Sequence, residues 1–156
     1  MDVWQVALDS LQSPALRPEF SLEEVPAPQR LAPHSIALAV EAVDGDDEEL
    51  AVGRFIVLHD PEGQDTWDGE FRVVSFVRAP IESDVVTDDL FDEVAWSWLI
   101  DALNDHQAGF FNEAGTTTRI ISTGHGALAH HGDHAELEIR ASWTPTDGRI
   151  DRHFQA

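Results

Sequence analysis

The sequence predicts an α+β fold built on a mainly antiparallel sheet of about five strands, in the order α-βββ-α-ββ. Three observations predict it. From Ser35 the apolar period is two, with Ile36, Leu38, Val40 and Ala42 on one face and Ser35 and Glu41 opposite. The stretch Gly53–Ala79 holds two β-branched and aromatic runs, Phe55–Leu58 and Phe71–Val77, around a polar segment rich in turn formers. That is the pattern of two antiparallel strands joined by a long connection. Between Asp88 and Gln107 the period becomes helical, with Phe91, Val94, Ala95, Trp98 and Ala102 recurring at three- and four-residue steps.

Each element follows from local chemistry. Val3, Trp4, Ala7, Leu8 and Leu11 make a short amphipathic helix from Asp2, its N-cap, to about Gln12. Pro14 ends it. Residues 14–33 hold Pro14, Pro18, Pro26, Pro28 and Pro33, which no regular helix tolerates, so this stretch reads as a strap laid across the domain. Within it Phe20, Leu22 and Val25 suit an extended edge segment. The run Asp44-Gly45-Asp46-Asp47 is a hairpin turn. The strands Leu50–His59 and Phe71–Arg78 are apolar on both faces and belong at the centre of the sheet. Asp88 or Asp89 caps the main helix, whose apolar residues spread over roughly two-thirds of its circumference, where a surface helix needs about 100°. The expectation is a long buried helix covered on more than one side. Two strands follow, Thr116–Thr123 and Ala135–Thr144. Residues 1–145 then form one domain, and 146–156 a polar, loosely ordered tail.

Composition removes several function classes. Thirty acids against nine bases, all arginine, give a formal charge of −21. That field repels nucleic-acid phosphates and anionic membranes and favours a basic protein partner, with a second copy of the chain as the alternative. The absence of cysteine excludes disulfides, thiolate metal sites and a cysteine nucleophile. No apolar run approaches the ~20 residues that span a bilayer, and the acidic start is unlike a signal peptide, so the location read from the sequence is cytoplasmic. No H-E-x-x-H, G-x-S-x-G or phosphate-cradling glycine loop occurs. The sequence therefore names no catalytic residue and no cofactor.

Three candidate sites remain. The connection after the second strand gathers His59, Asp60, Gln64, Asp65, Trp67 and Asp68. His59 with Asp60 has the makings of an acid–base pair, and Asp65 with Asp68 of a hard-cation site. Against this, Asp60–Gly63 and Asp68-Gly69 read as turns, with Trp67 a plug whose indole N–H donates to a carbonyl. His125, His130, His131 and His134, beside Asp133, are imidazole ligands at a spacing that fits no closed metal motif, which suits adventitious binding on a surface loop. Trp96 and Ile100, in the overhanging apolar arc of the main helix, form an interaction patch. VPAPQR (Val25–Arg30) suits polyproline II packed on its own domain. The leading reading is a non-enzymatic adaptor or regulatory module acting through protein contacts. The alternative is a small-molecule-binding protein or small enzyme with its site in the 59–70 loop.

Several stretches are specific enough to carry a resemblance: Arg17-Pro18-Glu19 through LEEVPAPQRLAP (Leu22–Pro33), the whole of Gly53–Ala79, WSWLIDAL (Trp96–Leu103) and ASWTP (Ala141–Pro145). On these the chain resembles the actinobacterial family known as domain of unknown function 3000, over about residues 3–145. The resemblance implies a cytoplasmic protein and brings no activity, cofactor or catalytic residue with it. It also implies a further apolar segment after ASWTP, where this sequence reads as polar, and makes the His-rich loop a feature of this chain.

Overall fold

The computed structural model describes residues 3–11, 20–28, 30–43, 49–82, 87–147 and 149–156. The Asp2 cap and the Asp44–Asp47 turn lie outside the described residues. The strands are β1 (Phe20–Val25), β2 (His34–Val43), β3 (Glu49–Gln64), β4 (Gly69–Ile81), β5 (Phe110–Thr123) and β6 (Asp133–Pro145). The helices are α1 (Val3–Ser10), α2 (Phe91–Asp105) and α3 (Ile150–Gln155), with a 3-10 turn at Gly126–His131. All strand pairs are antiparallel, in one sheet of order β1-β2-β3-β4-β6-β5. The doubly apolar strands β3 and β4 stand at its centre, as their composition requires.

The α+β class and the antiparallel sheet hold, but the count and order do not. Among the described residues there are six strands rather than five, and the helices bracket and interrupt them as α-ββββ-α-ββ-α. The extra strand is β1, cut from the strap. Pro18 and Pro26 flank FSLEEV without entering it, so no proline removes an N–H from the alternate positions that donate to β2. The tail expected to be loose is α3, and its Ile150, His153 and Phe154 are buried. Spaced at i, i+3 and i+4, those residues form one face of a short helix whose polar neighbours concealed it in the sequence. The main helix is not enclosed either. Of its residues only Phe91, Ala95 and Leu103 are buried.

Register decides which residues share a face. Ile36, Val57 and Val73 are paired across β2, β3 and β4, and Val73 faces Trp143 on β6. Leu38 and Phe55 pair on the same side. These residues join Trp4, Ala7 and Leu11 of the α1 region, Leu103 of α2, and Ile150 and Phe154 of α3 in one apolar core. Fully burying a side chain of this size contributes about 1.5–3 kcal/mol, so the three helices are held to the sheet chiefly by these contacts.

The opposite face of the sheet carries Arg54, Phe76 and Arg140 in a row, and the Arg140 guanidinium stands 4.8 Å from the Phe76 ring centroid. On that face Arg72 is buried, and its Nη1 donates to the Asn112 carbonyl at 2.8 Å and to Thr144 Oγ1 at 2.9 Å. Its Nη2 donates to Ser142 Oγ at 2.9 Å, so one guanidinium ties β4 to β5 and β6. Burial lowers its pKa from the usual arginine value, against the raising effect of Glu113.

Helix α2 is bounded by two local devices. Asp88 accepts the Leu90 N–H on its carboxylate at 2.9 Å and the Phe91 N–H on its carbonyl at 3.1 Å. Asp88 thus starts the helix from three residues ahead of Phe91. At the other end Ala108 N–H donates to the Leu103 carbonyl and Gln107 N–H to the Asn104 carbonyl. Gln107 takes φ 56° between them. This is a Schellman stop with glutamine at the position glycine usually fills, sealed by the buried pair Leu103 and Ala108.

Candidate functional site

The long connection of the sequence reading shrinks in the structure to four turn residues, Asp65–Asp68. Strands β3 and β4 run on to Gln64 and Gly69, with the register shifting between His59 and Gln64. The Trp67 and Asp68 N–H groups both donate to the Gln64 carbonyl at 3.0 Å, and Asp68 takes φ 56°. Trp67 is buried, and its carbonyl accepts from Thr144 Oγ1 and from Asn112 Nδ2 at 3.3 Å. Asn112 Nδ2 also reaches the Thr66 carbonyl at 3.0 Å. Gln64 Nε2 donates to the Leu31 carbonyl at 3.0 Å, fastening the hairpin to the end of the strap. Hydrogen bonds thus occupy the Gln64 side chain and the Gln64, Thr66 and Trp67 carbonyls at the tip.

The sequence-proposed pair of His59 and Asp60 does not form. Successive strand residues face opposite ways, and Asp60 is occupied locally, accepting the Glu62 N–H at 3.0 Å and Gln64 Nε2 at 3.4 Å. His59 turns into the core and is 2% exposed. Its ring is parallel to Trp4 (centroids 5.7 Å apart, planes at 1°) and close to His34 (5.4 Å, 17°) and Phe71 (4.4 Å, 30°). His34 and Trp4 stack at 5.6 Å. Neither ring nitrogen of His59 has a hydrogen-bond partner among the described residues. Glu70 Oε2 is 3.7 Å from Nε2, beyond hydrogen-bond reach. The stack joins α1 to β2, β3 and β4. Sequence reasoning missed His34 and Trp4 as its members; the cross-strand pairing of His34 with His59 is the feature that brings them together.

His125, His130 and His134 are exposed around the 3-10 turn. Among the described residues no group of three or more His, Asp or Glu side chains lies close enough to hold a metal ion, which applies equally to Asp65 and Asp68. The His131 side chain lies outside the described residues.

The two flanks of α2 differ. Trp96 packs toward the sheet: a side chain at Gly115 would bring its Cβ within 2.7 Å of the Trp96 ring, so glycine there lets β5 pass beneath the helix. Ile100 is half-buried. The other flank carries Leu90, Val94 and Trp98, which are 61%, 44% and 50% exposed. Steps of four residues line them up along one stripe of the helix and its leading residue. Trp98 rests edge-on against buried Phe91, with centroids 6.1 Å apart and planes at 85°. Exposed Asp89, Glu93, Asp101 and Asp105 surround the stripe. Trp96 and Ile100, the residues that the sequence assigned to an interaction patch, are thus half-buried, and the exposed large apolar residues of this region are Leu90, Val94 and Trp98.

Among the described residues, an antiparallel sheet with α1, α2 and α3 packed on one side, and an acid-framed apolar stripe on α2, defines an α+β fold without a recognisable catalytic constellation. The chain matches, over residues 2–156, the family described as protein of unknown function (DUF3000), and it belongs to that family. No curated protein and no solved structure matches it. Among the described residues no helix is long and apolar enough to cross a membrane.

Proposed function

We propose that this protein is a binding module that acts through protein contacts, using the Leu90–Val94–Trp98 flank of α2 to engage a basic partner. The observation that carries this reading is Trp98, a large aromatic half exposed on a helix that is otherwise seated on the sheet. Aromatic residues on such surfaces are the residue type in which binding energy concentrates. The acids around the stripe and the formal charge of −21 favour a partner whose apolar groove is rimmed by lysine or arginine. Complementarity of that kind speeds encounter and makes it dependent on salt.

The test is an affinity capture of basic proteins from the cell of origin, run in parallel with Trp98→Ala and Asp101→Asn/Asp105→Asn. The reading requires one partner to be retained by the native chain, lost with Trp98→Ala at unchanged circular dichroism, and weakened by the paired Asp→Asn variant at low salt. Equal retention by all three proteins would contradict it. If instead the native chain forms a dimer in sedimentation that Trp98→Ala abolishes, the partner is a second copy of the chain.

A further inference from the structure

The two edges of the sheet are built differently. Edge strand β1 is six residues long, carries Glu23 and Glu24, and has Pro18 and Pro26 on either side. Short length, charge and proline are devices by which proteins keep an edge from pairing with another chain. Edge strand β5 runs for 14 residues without proline, and most of them are exposed. Among the described residues it pairs with β6 alone. Alternate backbone N–H and C=O groups of β5 therefore point away from the sheet.

This edge is also close to neutral, in a chain with a formal charge of −21. Arg119 Nη2 lies 3.4 Å from Asp92 Oδ2 on α2, and Thr117 Oγ1 donates to Asp92 Oδ1 at 3.3 Å. On β6, one strand in, Glu136 accepts from Arg78 Nε at 2.8 Å and Glu138 from Arg140 Nε at 2.6 Å. A basic partner gains nothing from such an edge, and a second acidic chain is not turned away at short range.

In a closed dimer a strand pairs with its own copy antiparallel, about a two-fold axis at which one residue faces itself. The register shift between Phe111 and Ala114 leaves residues 114–123 as the straight stretch of β5. Two centres use that stretch most fully, Thr118 and Arg119. Centring on Arg119 sets guanidinium against guanidinium, and like charges directly opposite are destabilising. Centring on Thr118 sets Thr118 against itself, Ile120 against Thr116 and Ser122 against Ala114. On the α2 side it sets Arg119 against Thr117 and Ile121 against Gly115. Gly115 is where the Trp96 ring comes down on β5, 2.7 Å from a Cβ built there. Ile121, 56% exposed, would thus lie beside the half-buried Trp96 ring of the other copy.

We propose that the chain forms a symmetric dimer through β5, antiparallel about Thr118, which joins the two sheets into one. The contact is independent of the Leu90–Val94–Trp98 flank and of any partner there.

Sedimentation of the full chain tests this. The native chain should be dimeric at micromolar concentration, and more tightly so at higher salt, which screens the repulsion between two acidic chains. Thr118→Asp and Thr118→Lys each set a charge against its own copy, so each alone should be monomeric at unchanged circular dichroism. Mixed in equal amounts they should re-form the dimer, because carboxylate then faces ammonium. Trp98→Ala should leave the dimer intact. The chain has no cysteine, so Thr118→Cys should give a disulfide-linked dimer on oxidation. Ser122→Cys should not, since its two copies would stand about 27 Å apart along the ladder. A native chain that stays monomeric at millimolar concentration would overturn the proposal and leave the edge to another protein's strand. So would a dimer that survives Thr118→Asp, a mixture that stays monomeric, a dimer lost with Trp98→Ala, or a disulfide through position 122 as readily as through 118. Should a charged variant fail to fold, the cysteine pair still decides the register.

Discussion

At one end of the core face His59 lies in a stack of rings, with Trp4 and His34 parallel to it and Phe71 tilted against it. At the other end His153 accepts a hydrogen bond from Trp143 and borders open space. Both histidines are 2% exposed, and both leave at least one nitrogen without a partner among the described residues. Equal burial hides two different environments. Around His59 the neighbours are large and flat, and dispersion fills the volume that hydrogen bonds do not. Around His153 the floor is alanine and glycine, and the ring is fixed by one directional bond. A buried histidine is therefore explained by the size of what surrounds it.

The largest effect should come from removing a ring of the filled end. Trp4→Ala should cost about 3–5 kcal/mol in denaturant unfolding, the range for deleting a buried aromatic. Ala51→Leu at the open end should cost nothing or stabilise, because its added carbons enter existing space. If both changes destabilise alike, the two ends are packed alike.

Acid sharpens the contrast. The folded pKa of His153 is depressed to about 4, below the ordinary 6.5. Its contribution is fully present above pH 6.5 and is lost as pH falls toward 4, because the unfolded chain takes up the proton first. The loss amounts to about 3 kcal/mol over that window. Carboxylates titrate in the same range, so the comparison is with His153→Gln, which cannot take up that proton. The variant's stability should fall less steeply between pH 6.5 and 4, and superimposable pH profiles would refute the assignment.

Away from both ends, Gln107→Gly should stabilise by about 1 kcal/mol, since φ 56° at the helix stop strains any residue with a side chain. The urea midpoint should rise at constant slope. A fall would mean that the Gln107 side chain supports the stop by a contact of its own.

Much of this was legible in the sequence, and the failures have physical causes. Period-two alternation and the doubly apolar runs located the sheet and its central strands, because burial on one or both faces writes itself directly into residue order. The strap was legible as extended but not as a sixth strand: FSLEEV gains its hydrogen bonds from β2, a partner no local pattern announces. Helix α3 was missed because six residues with only two apolar side chains, Ile150 and Phe154, look polar on average. The hairpin loop was the best-placed residue cluster, yet its chemistry was absorbed by turns and by distant carbonyl contacts such as Thr144 to Trp67. His153 could have been flagged only by its spacing from Ile150. Its bond to Trp143 joins the sheet to α3, and sequence order alone does not show it.

The most direct measurement is one substitution made twice. His59→Phe and His153→Phe, unfolded in urea at pH 7.5, replace each buried histidine by an apolar ring. At His59 the change removes unpaired polar atoms from a stack of rings, and stability should rise by about 1 kcal/mol. At His153 it strips the acceptor from the Trp143 indole, and stability should fall by about 1–3 kcal/mol. Opposite signs are the predicted result. Changes of the same sign and size would contradict the claim that these two histidines occupy physically different ends of one core.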